Sequence, residues 1–119
     1  MIFAAIALTI CAPGPRDNCV VDGDTFWLAG EKIRIADIDA PEISRPKCAE
    51  ERATGERATR RLLVLLNSGP FELHRRGEDR YGRTLAVVVN DRGSVGDQLV
   101  SEGLARTWTG RRESWCDAS

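Results

Sequence analysis

The sequence predicts a mainly β domain with helices, an α+β fold, and three observations lead there. Three short segments rich in β-branched and aromatic residues follow one another between Asn18 and Ala36, separated only by turn dipeptides. From about Ala49 to Leu66 the apolar residues switch to helical spacing. Two more strand-like runs and a short helical one follow. Three strands, one long helix, two strands and one short helix, with hairpins dominant, suit a five-stranded, partly open Greek-key barrel of the OB type, with a helix plugging one end. A doubly wound α/β fold is disfavoured, because only one long helix is present.

Residues 1–17 read as an apolar segment followed by a loop. Met1 to Ile10 lacks a basic start and is too short to span a bilayer. It reads either as a first strand packed on the barrel or as the remnant of an export signal or anchor. Cys11 to Asn18 carries Pro13, Gly14 and Pro15 and reads as loop. The domain proper is expected over residues 18–119. Asn18 to Val21 is its first strand. Asp22-Gly23 is a hairpin signal, because glycine accepts positive φ. Thr25 to Leu28 returns, Ala29-Gly30 turns, and Glu31 to Ala36 puts Ile33 and Ile35 on one face and Lys32 and Arg34 on the other.

Pro41 and Pro46 end regular pairing. Ala58, Leu62, Leu65 and Leu66 then make the helix's apolar stripe, with Glu51, Arg52, Arg57, Arg60 and Arg61 assigned to other faces. Gly55 weakens the helix and allows a start as late as Thr54. Asn67-Ser68-Gly69-Pro70 stops it. Pro70 to Arg75 is a fourth strand, Arg76 to Gly82 a polar loop, and Thr84 to Val89 a fifth strand. After a turn at Asp91-Arg92-Gly93, Ser94 reads as an N-cap with Asp97 three residues on. Leu99 and Val100 lie in the short helix that Gly103 stops. Leu104 to Trp108 reads as a last strand or an extended arm.

The chain has 119 residues, enough for one domain with a buried core, and its 42% hydrophobic and 29% charged residues are ordinary for a globular protein. Lys+Arg 17 against Asp+Glu 18 gives a formal charge of -1, which argues against a high-affinity duplex binder. Lys32 and Lys47 are the only lysines. Arginine suits two-pronged phosphate contacts, although GC-rich coding also favours it. Cys11, Cys19, Cys48 and Cys116 form no C-x-x-C, and His74 is the only histidine, so a zinc site is disfavoured. Of the three possible connectivities, Cys11–Cys19 and Cys48–Cys116 are favoured; the first closes a local loop and the second ties the tail to the body. Two disulfides place the chain in an oxidising compartment, periplasmic or secreted. The competing reading is free thiols in a cytoplasmic protein.

The chemistry concentrates in Val20-Val21-Asp22-Gly23-Asp24-Thr25 and in Arg34 to Glu42. Asp22, Asp24, Asp37, Asp39 and Glu42 crowd there. Neighbouring carboxylates raise each other's pKa unless a cation lies among them, which suggests a metal. Asp24 and Asp39 with a backbone carbonyl and waters suit a hard cation such as Ca²⁺, with Asp22 acting through water. Glu42 can hold or deprotonate a water, while Arg34 and Arg83 grip the non-bridging oxygens of a phosphodiester. In an unbroken strand Arg34 and Asp39 point to opposite faces, so a strand end or bulge is predicted near Ala36-Asp37. Taken singly, each piece is bland: Asp22-Gly23-Asp24 is a hairpin tip and Arg83 an edge-strand charge. Arg111-Arg112 reads as solvated surface, and Trp108 and Trp115 as caps on the barrel. His74 receives no catalytic role.

Together, Val21 to Thr25, Arg34, Asp39 to Glu42, and Asp79-Arg80-Tyr81-Gly82-Arg83 resemble the thermonuclease family, of which staphylococcal nuclease is the best-known member. The resemblance runs from about Cys19 to Arg106. It implies an OB-type barrel and Ca²⁺-dependent cleavage of DNA and RNA, with single strands or frayed ends preferred, giving 5′-hydroxyl and 3′-phosphate products. Position by position, Asp24 and Asp39 resemble the carboxylate ligands of Ca²⁺, and Ala40 stands where the family offers a carbonyl. Asp22 matches an outer-shell acid, Glu42 the residue that orients the attacking water, and Arg34 and Arg83 the phosphate-binding arginines. Arg80 and Tyr81 match positions near a terminal phosphate, arginine replacing the more usual lysine. The family's tyrosines near the base pocket have no clear match; Thr107, Trp108 and Thr109 occupy that neighbourhood.

A monomer is expected, with DNA and RNA as substrates, no obligate protein partner and no strong membrane association. The alternative is a non-catalytic OB module that binds single-stranded nucleic acid. Such a module favours a basic groove with stacking aromatics, and aromatics are only 6% here.

Overall fold

The computed structural model describes residues 2–3 and 7–116; residues 1, 4–6 and 117–119 lie outside the description, and with them part of the expected anchor or signal remnant. The elements are β1 (Ile2–Phe3), β2 (Thr9–Ile10), β3 (Cys19–Asp22), β4 (Thr25–Leu28), β5 (Glu31–Ile35), β6 (Ile38–Asp39), α1 (Ala49–Asn67), β7 (Phe71–Glu78), β8 (Thr84–Asn90), β9 (Gly93–Ser94), α2 (Val95–Ser101) and β10 (Arg106–Thr107). The fold is thus mixed α+β with two helices and a mostly strand sheet. Among the described residues the main sheet runs β1-β7-β8-β5-β4-β3-β2, with β9 on β8 and β6 paired separately with β10. The five predicted strands are adjacent in it, and short pairings at its margins add to them. The apolar start contributes two of these: β1 pairs with β7, and β2 runs parallel to β3.

The β4–β5 hairpin turns on Ala29 and Gly30 at φ 50° and 78°. Two successive positive values match the right-handed twist of the strands they join. The β3–β4 tip differs from the sequence reading. Its two loop residues are Gly23 and Asp24, since Asp22 pairs with Thr25. Gly23 does not adopt positive φ. A Cβ there would lie 2.7 Å from Ala58 Cβ and 2.9 Å from Ala40 Cβ. Glycine is required because the tip is pressed between α1 and the chain after β6. Strand β7 also runs further than Arg75, to Glu78, with a register shift before its end where Gly77 takes φ 96°. The expected loop shrinks accordingly.

Helix α1 starts at Ala49, with Cys48 as N-cap, and not as late as Thr54. Its buried stripe is the predicted one, Ala58, Leu62, Leu65 and Leu66. It packs into a core with Phe26, Ile33, Ile35 and Val88, and Phe26 meets Phe71 edge-on at 6.3 Å between ring centres. Ser94 caps α2 by accepting the Asp97 N–H at 3.1 Å. Gly103, at φ 75°, closes it: Gly103 N–H donates to the Val100 carbonyl and Leu104 N–H to that of Leu99.

Gly55 is in the helix because of a neighbour. An added Cβ would sit 2.7 Å from Ile43 Cγ2, 3.0 Å from the Pro41 carbonyl and 3.1 Å from the Glu42 carbonyl. Alanine is the better helix former by about 1 kcal/mol, but it cannot enter without pushing back the segment that carries Glu42. Overpacking of this kind costs about 1–3 kcal/mol. Gly55→Ala is therefore expected to lower the melting temperature by a few degrees despite its propensity, and a variant melting above wild type removes the close-approach account.

Candidate active site

Strand β5 ends at Ile35, and residues 36 and 37 form the predicted turn. That break brings Arg34 and Asp39 to one side. Arg34 spans it with a single nitrogen: Nη1 donates to the Ile38 carbonyl at 2.8 Å and to the Ile35 carbonyl. Nη2 then faces Asp24 Oδ2 at 3.6 Å and Asp39 Oδ1 at 3.9 Å, with the side chain only 13% exposed. The segment after the turn is held from outside by β10, where Arg106 pairs with Asp39 and Trp108 N–H donates to the Asp37 carbonyl.

Asp24 ties the β3–β4 tip to the same segment. Its Oδ2 accepts the Ala40 N–H and its Oδ1 the Thr25 hydroxyl, both at 2.9 Å. Asp22 accepts the Asp24 N–H at 3.2 Å. On the opposite wall, Asp79 organises the β7–β8 tip. One oxygen accepts the N–H of Tyr81 and of Arg83, and the other takes Arg83 Nε–H at 2.6 Å. Arg83 is thereby fixed at a hairpin tip by a carboxylate partner. Arg80 donates to the Tyr81 hydroxyl at 2.9 Å, and the guanidinium groups of Arg80 and Arg83 lie 5.1 and 5.6 Å from the Tyr81 ring centre.

These walls enclose one open cleft of about 690 Å³, lined by Asp22, Asp24, Arg34, Asp39, Ala40, Glu42, Arg80, Tyr81 and Arg83, together with Trp108 and Arg112. Every predicted metal, catalytic and phosphate-contacting residue borders it. The four cysteines lie elsewhere, joined as Cys11–Cys19 and Cys48–Cys116, the favoured pairing.

Electrostatics separate the carboxylates. Burial, then the Asp24 charge and the nearby Glu42, hold the Asp22 carboxyl well above the usual range. Burial also raises Asp39; Arg112 opposes this, Asp24 adds to it, and Arg34 opposes it. Asp79 lies below the usual range, because its hydrogen bonds to Arg83 and Tyr81 outweigh its burial.

The profile of the family described as "Staphylococcal nuclease homologue" matches residues 32–117, most of the chain. The chain belongs to this family. It is similar to an uncharacterized endonuclease of Haemophilus influenzae, 35% identical over 91 residues that cover 72% of this chain and 47% of the relative. It is similar to endonuclease YncB of Bacillus subtilis, 40% identical over 93 residues covering 72% and 44%. It is also similar to a micrococcal nuclease of Shigella flexneri, 32% identical over 122 residues covering 87% and 66%. The chain spans about half the length of the first two relatives. The match to staphylococcal nuclease homologues takes in Arg34, Asp39, Glu42 and Arg83, and begins after Asp22 and Asp24.

Within this member of the staphylococcal nuclease homologues, four residues depart from the sequence reading. Glu51, assigned to a face away from the apolar stripe, is buried at 4% exposure. It accepts the N–H of Lys47 at 2.8 Å and of Glu42 at 3.2 Å, and takes Arg112 Nη2 at 3.1 Å. Its spacing three residues after the N-cap Cys48 is that of a capping box and was the available signal. Arg112 is exposed, at 41%, but is not merely solvated surface: besides Glu51 it meets Asp39 and Glu42. No local pattern marks it. Trp108 is no cap: it is 41% exposed at the cleft, with the Arg34 guanidinium 5.9 Å from its ring centre. Trp115 instead lies under Arg106, 3.9 Å from the guanidinium.

Burial pushes the Glu51 carboxyl up, but its backbone donors and Arg112 outweigh this and hold it below the usual range. The stability it contributes is present above the unfolded value, roughly 4.3, and is lost as pH falls through the depressed folded value. Glu51→Gln is expected to cost about 1–3 kcal/mol at pH 7, since its amide NH₂ must face one of the two backbone N–H groups that the carboxylate accepts, and the charge opposite Arg112 is lost. In denaturant melts from pH 7 down to 3 the gap to wild type should narrow; a gap that widens toward acid contradicts the assignment.

The residues fit a hard cation. Among the described residues Asp39 Oδ2 is buried without a well-formed hydrogen bond, the Trp115 indole alone approaching the carboxylate as a neutral side-chain donor, and Asp22 and Asp24 line the same cleft. Among the described residues no three His, Cys, Asp or Glu side chains converge as a metal cage. Two aspartates with a backbone carbonyl would suit a cation that keeps part of its hydration.

Proposed function

We propose that this protein hydrolyses phosphodiester bonds in DNA and RNA with Ca²⁺ as cofactor, preferring single strands or frayed ends and leaving 5′-hydroxyl and 3′-phosphate products. The observation that carries this reading is that Arg34, Asp39, Glu42 and Arg83 line one cleft. Asp24 and Asp39, with the Ala40 carbonyl, would hold the cation, and Asp22 would act on it through water. When bound, the ion supplies positive charge against the phosphoryl oxygens. Arg34 and Arg83 bind those oxygens from two walls, each already oriented by its own partners, so little reorganisation accompanies charge build-up. Glu42 is 38% exposed and takes the proton of a water aligned on phosphorus. Arg80 and Tyr81 extend the rim toward a terminal phosphate.

The sheet is read as a partly open, five-stranded OB-type barrel that carries this cleft. The two disulfides agree with a periplasmic or secreted protein, and among the described residues no helix is long and apolar enough to cross a membrane. The exposed rings of Tyr81 and Trp108 favour a second reading, a platform on which single-stranded bases stack without cleavage.

Digestion of single-stranded DNA and RNA, in Ca²⁺ or in EDTA, separates the two. Wild type should cleave only with the cation, and Glu42→Gln should be slower by about 10²-fold. Undiminished cleavage by Glu42→Gln removes that residue from the chemistry. Retention of an oligonucleotide without any cleavage favours the second reading.

A further inference from the structure

The arm that follows β10 is tied down at both ends. Its start is fixed by the β6–β10 pairing, and its end by Cys116, which is bonded to Cys48 at the N-cap of α1. Between these anchors it braces itself. Arg106 Nη1 donates to the Ser114 carbonyl at 2.8 Å and lies 3.9 Å from Glu113. From the arm the Arg112 side chain, 41% exposed, reaches the cleft carboxylates.

The two edges of the Arg112 guanidinium do different things. Nη2 is anchored: it donates to Glu51 Oε2 at 3.1 Å and to the Ala40 carbonyl at 3.5 Å. Nη1 faces two carboxylates without a close hydrogen bond, Asp39 Oδ1 at 3.7 Å and Glu42 Oε1 at 3.9 Å. Its anchor, Glu51, also accepts the backbone N–H of Glu42. Both the main chain and the side chain of Glu42 therefore meet one ion pair, in which Glu51 is buried and Arg112 is 41% exposed. A planar, forked cation can serve both edges at once, whereas a point charge cannot.

We propose that Arg112 is a positioning residue for the hydrolysis: anchored on Glu51, it holds the Glu42 carboxylate beside Asp39 at the cleft. The inference rests on the hydrolytic reading above. Arg112 is not a catalytic residue, because its role is exerted through Glu42. It also has a second consequence, since its charge lies beside Asp39 and the Ala40 carbonyl, both assigned to the cation. Removing it cannot weaken the hold on a divalent ion and should tighten it.

The test is a double-mutant cycle of Arg112→Gln with Glu42→Gln, read as kcat and KM on a short single-stranded oligodeoxynucleotide at saturating Ca²⁺. It is joined by Ca²⁺ titration calorimetry without nucleic acid and by melting temperature in EDTA. Arg112→Gln alone should lower kcat by 10- to 100-fold with KM within threefold of wild type. In the Glu42→Gln background it should change kcat by less than threefold, because the group it positions is already gone. Ca²⁺ should bind Arg112→Gln at least as tightly as wild type. Arg112→Lys, which keeps the charge against Glu51, covers the case in which the glutamine variant does not fold; it should show the same non-additivity. Arg111→Gln, an exposed neighbour on the arm, should be indistinguishable from wild type.

Full additivity of the two substitutions overturns the proposal, as does Ca²⁺ binding more than tenfold weaker in Arg112→Gln. Either result with an active wild type leaves the hydrolytic reading intact. A wild type that cleaves nothing in Ca²⁺ overturns both.

Discussion

Arg34→Ala is expected to cleave single-stranded DNA on the order of 10³-fold or more slowly than wild type at saturating substrate and Ca²⁺. Three effects act together. The phosphate loses a cation that is already oriented before substrate arrives. Asp24 and Asp39 lose the guanidinium that faces both, so the crowd of carboxylates becomes harder to assemble. The turn after β5 loses the donor that reaches the Ile35 and Ile38 carbonyls, and with it the geometry that brings Asp39 round. Lysine does not substitute: one ammonium on a flexible stem cannot bond those carbonyls and face a phosphate at the same time. Arg34→Lys should therefore stay at least 10²-fold below wild type. Initial rates on a labelled oligonucleotide decide the matter, with circular dichroism to verify folding. An alanine variant within tenfold of wild type would remove Arg34 from the chemistry.

The second large effect concerns stability. Cys48–Cys116 bridges a sequence separation of 68 residues, and the chain-entropy relation gives about 4 kcal/mol for a loop of that size. Cys11–Cys19 spans a separation of 8, for which the same relation gives roughly 2.5 kcal/mol. For a domain of this length, 4 kcal/mol corresponds to a melting shift of about 12–20 °C. Cys116→Ser is the better variant, because the Cys48 sulfur also accepts the Glu51 N–H at the start of α1. Its melting temperature should fall by about that amount. A fall under 3 °C would mean that the β6–β10 pairing and the Arg112–Glu51 pair hold the arm without the bond.

Release of the arm would reach the cleft as well. The same segment carries Trp108 and Arg112, both of which line it. Chain topology thus connects the stability of the arm with the chemistry of the site, and a merely structural tether would not. Gly55 makes the corresponding connection from the helix side, because its bare backbone lets α1 approach the Pro41–Glu42 carbonyls.

What could be read in the residues alone was whatever depends on neighbours in sequence. Hairpin composition marked β3, β4 and β5, the apolar stripe marked the face of α1, and Ser94 with Asp97 marked the start of α2. The opposite facing of Arg34 and Asp39 in a straight strand forced a break, which the structure has at residues 36 and 37. The joint pattern of acids and arginines marked the cleft. Contacts between segments far apart along the chain decided the rest. Gly23 and Gly55 are glycine because another segment touches them, not because of their own dihedral angles. Glu51 is buried because the segment before α1 and the arm fold over it, and Arg112, still 41% exposed, reaches Glu51, Asp39 and Glu42 because both ends of its arm are pinned. A side chain's helical or strand period says which way it points from its own element; what it meets there depends on packing, which no local period encodes.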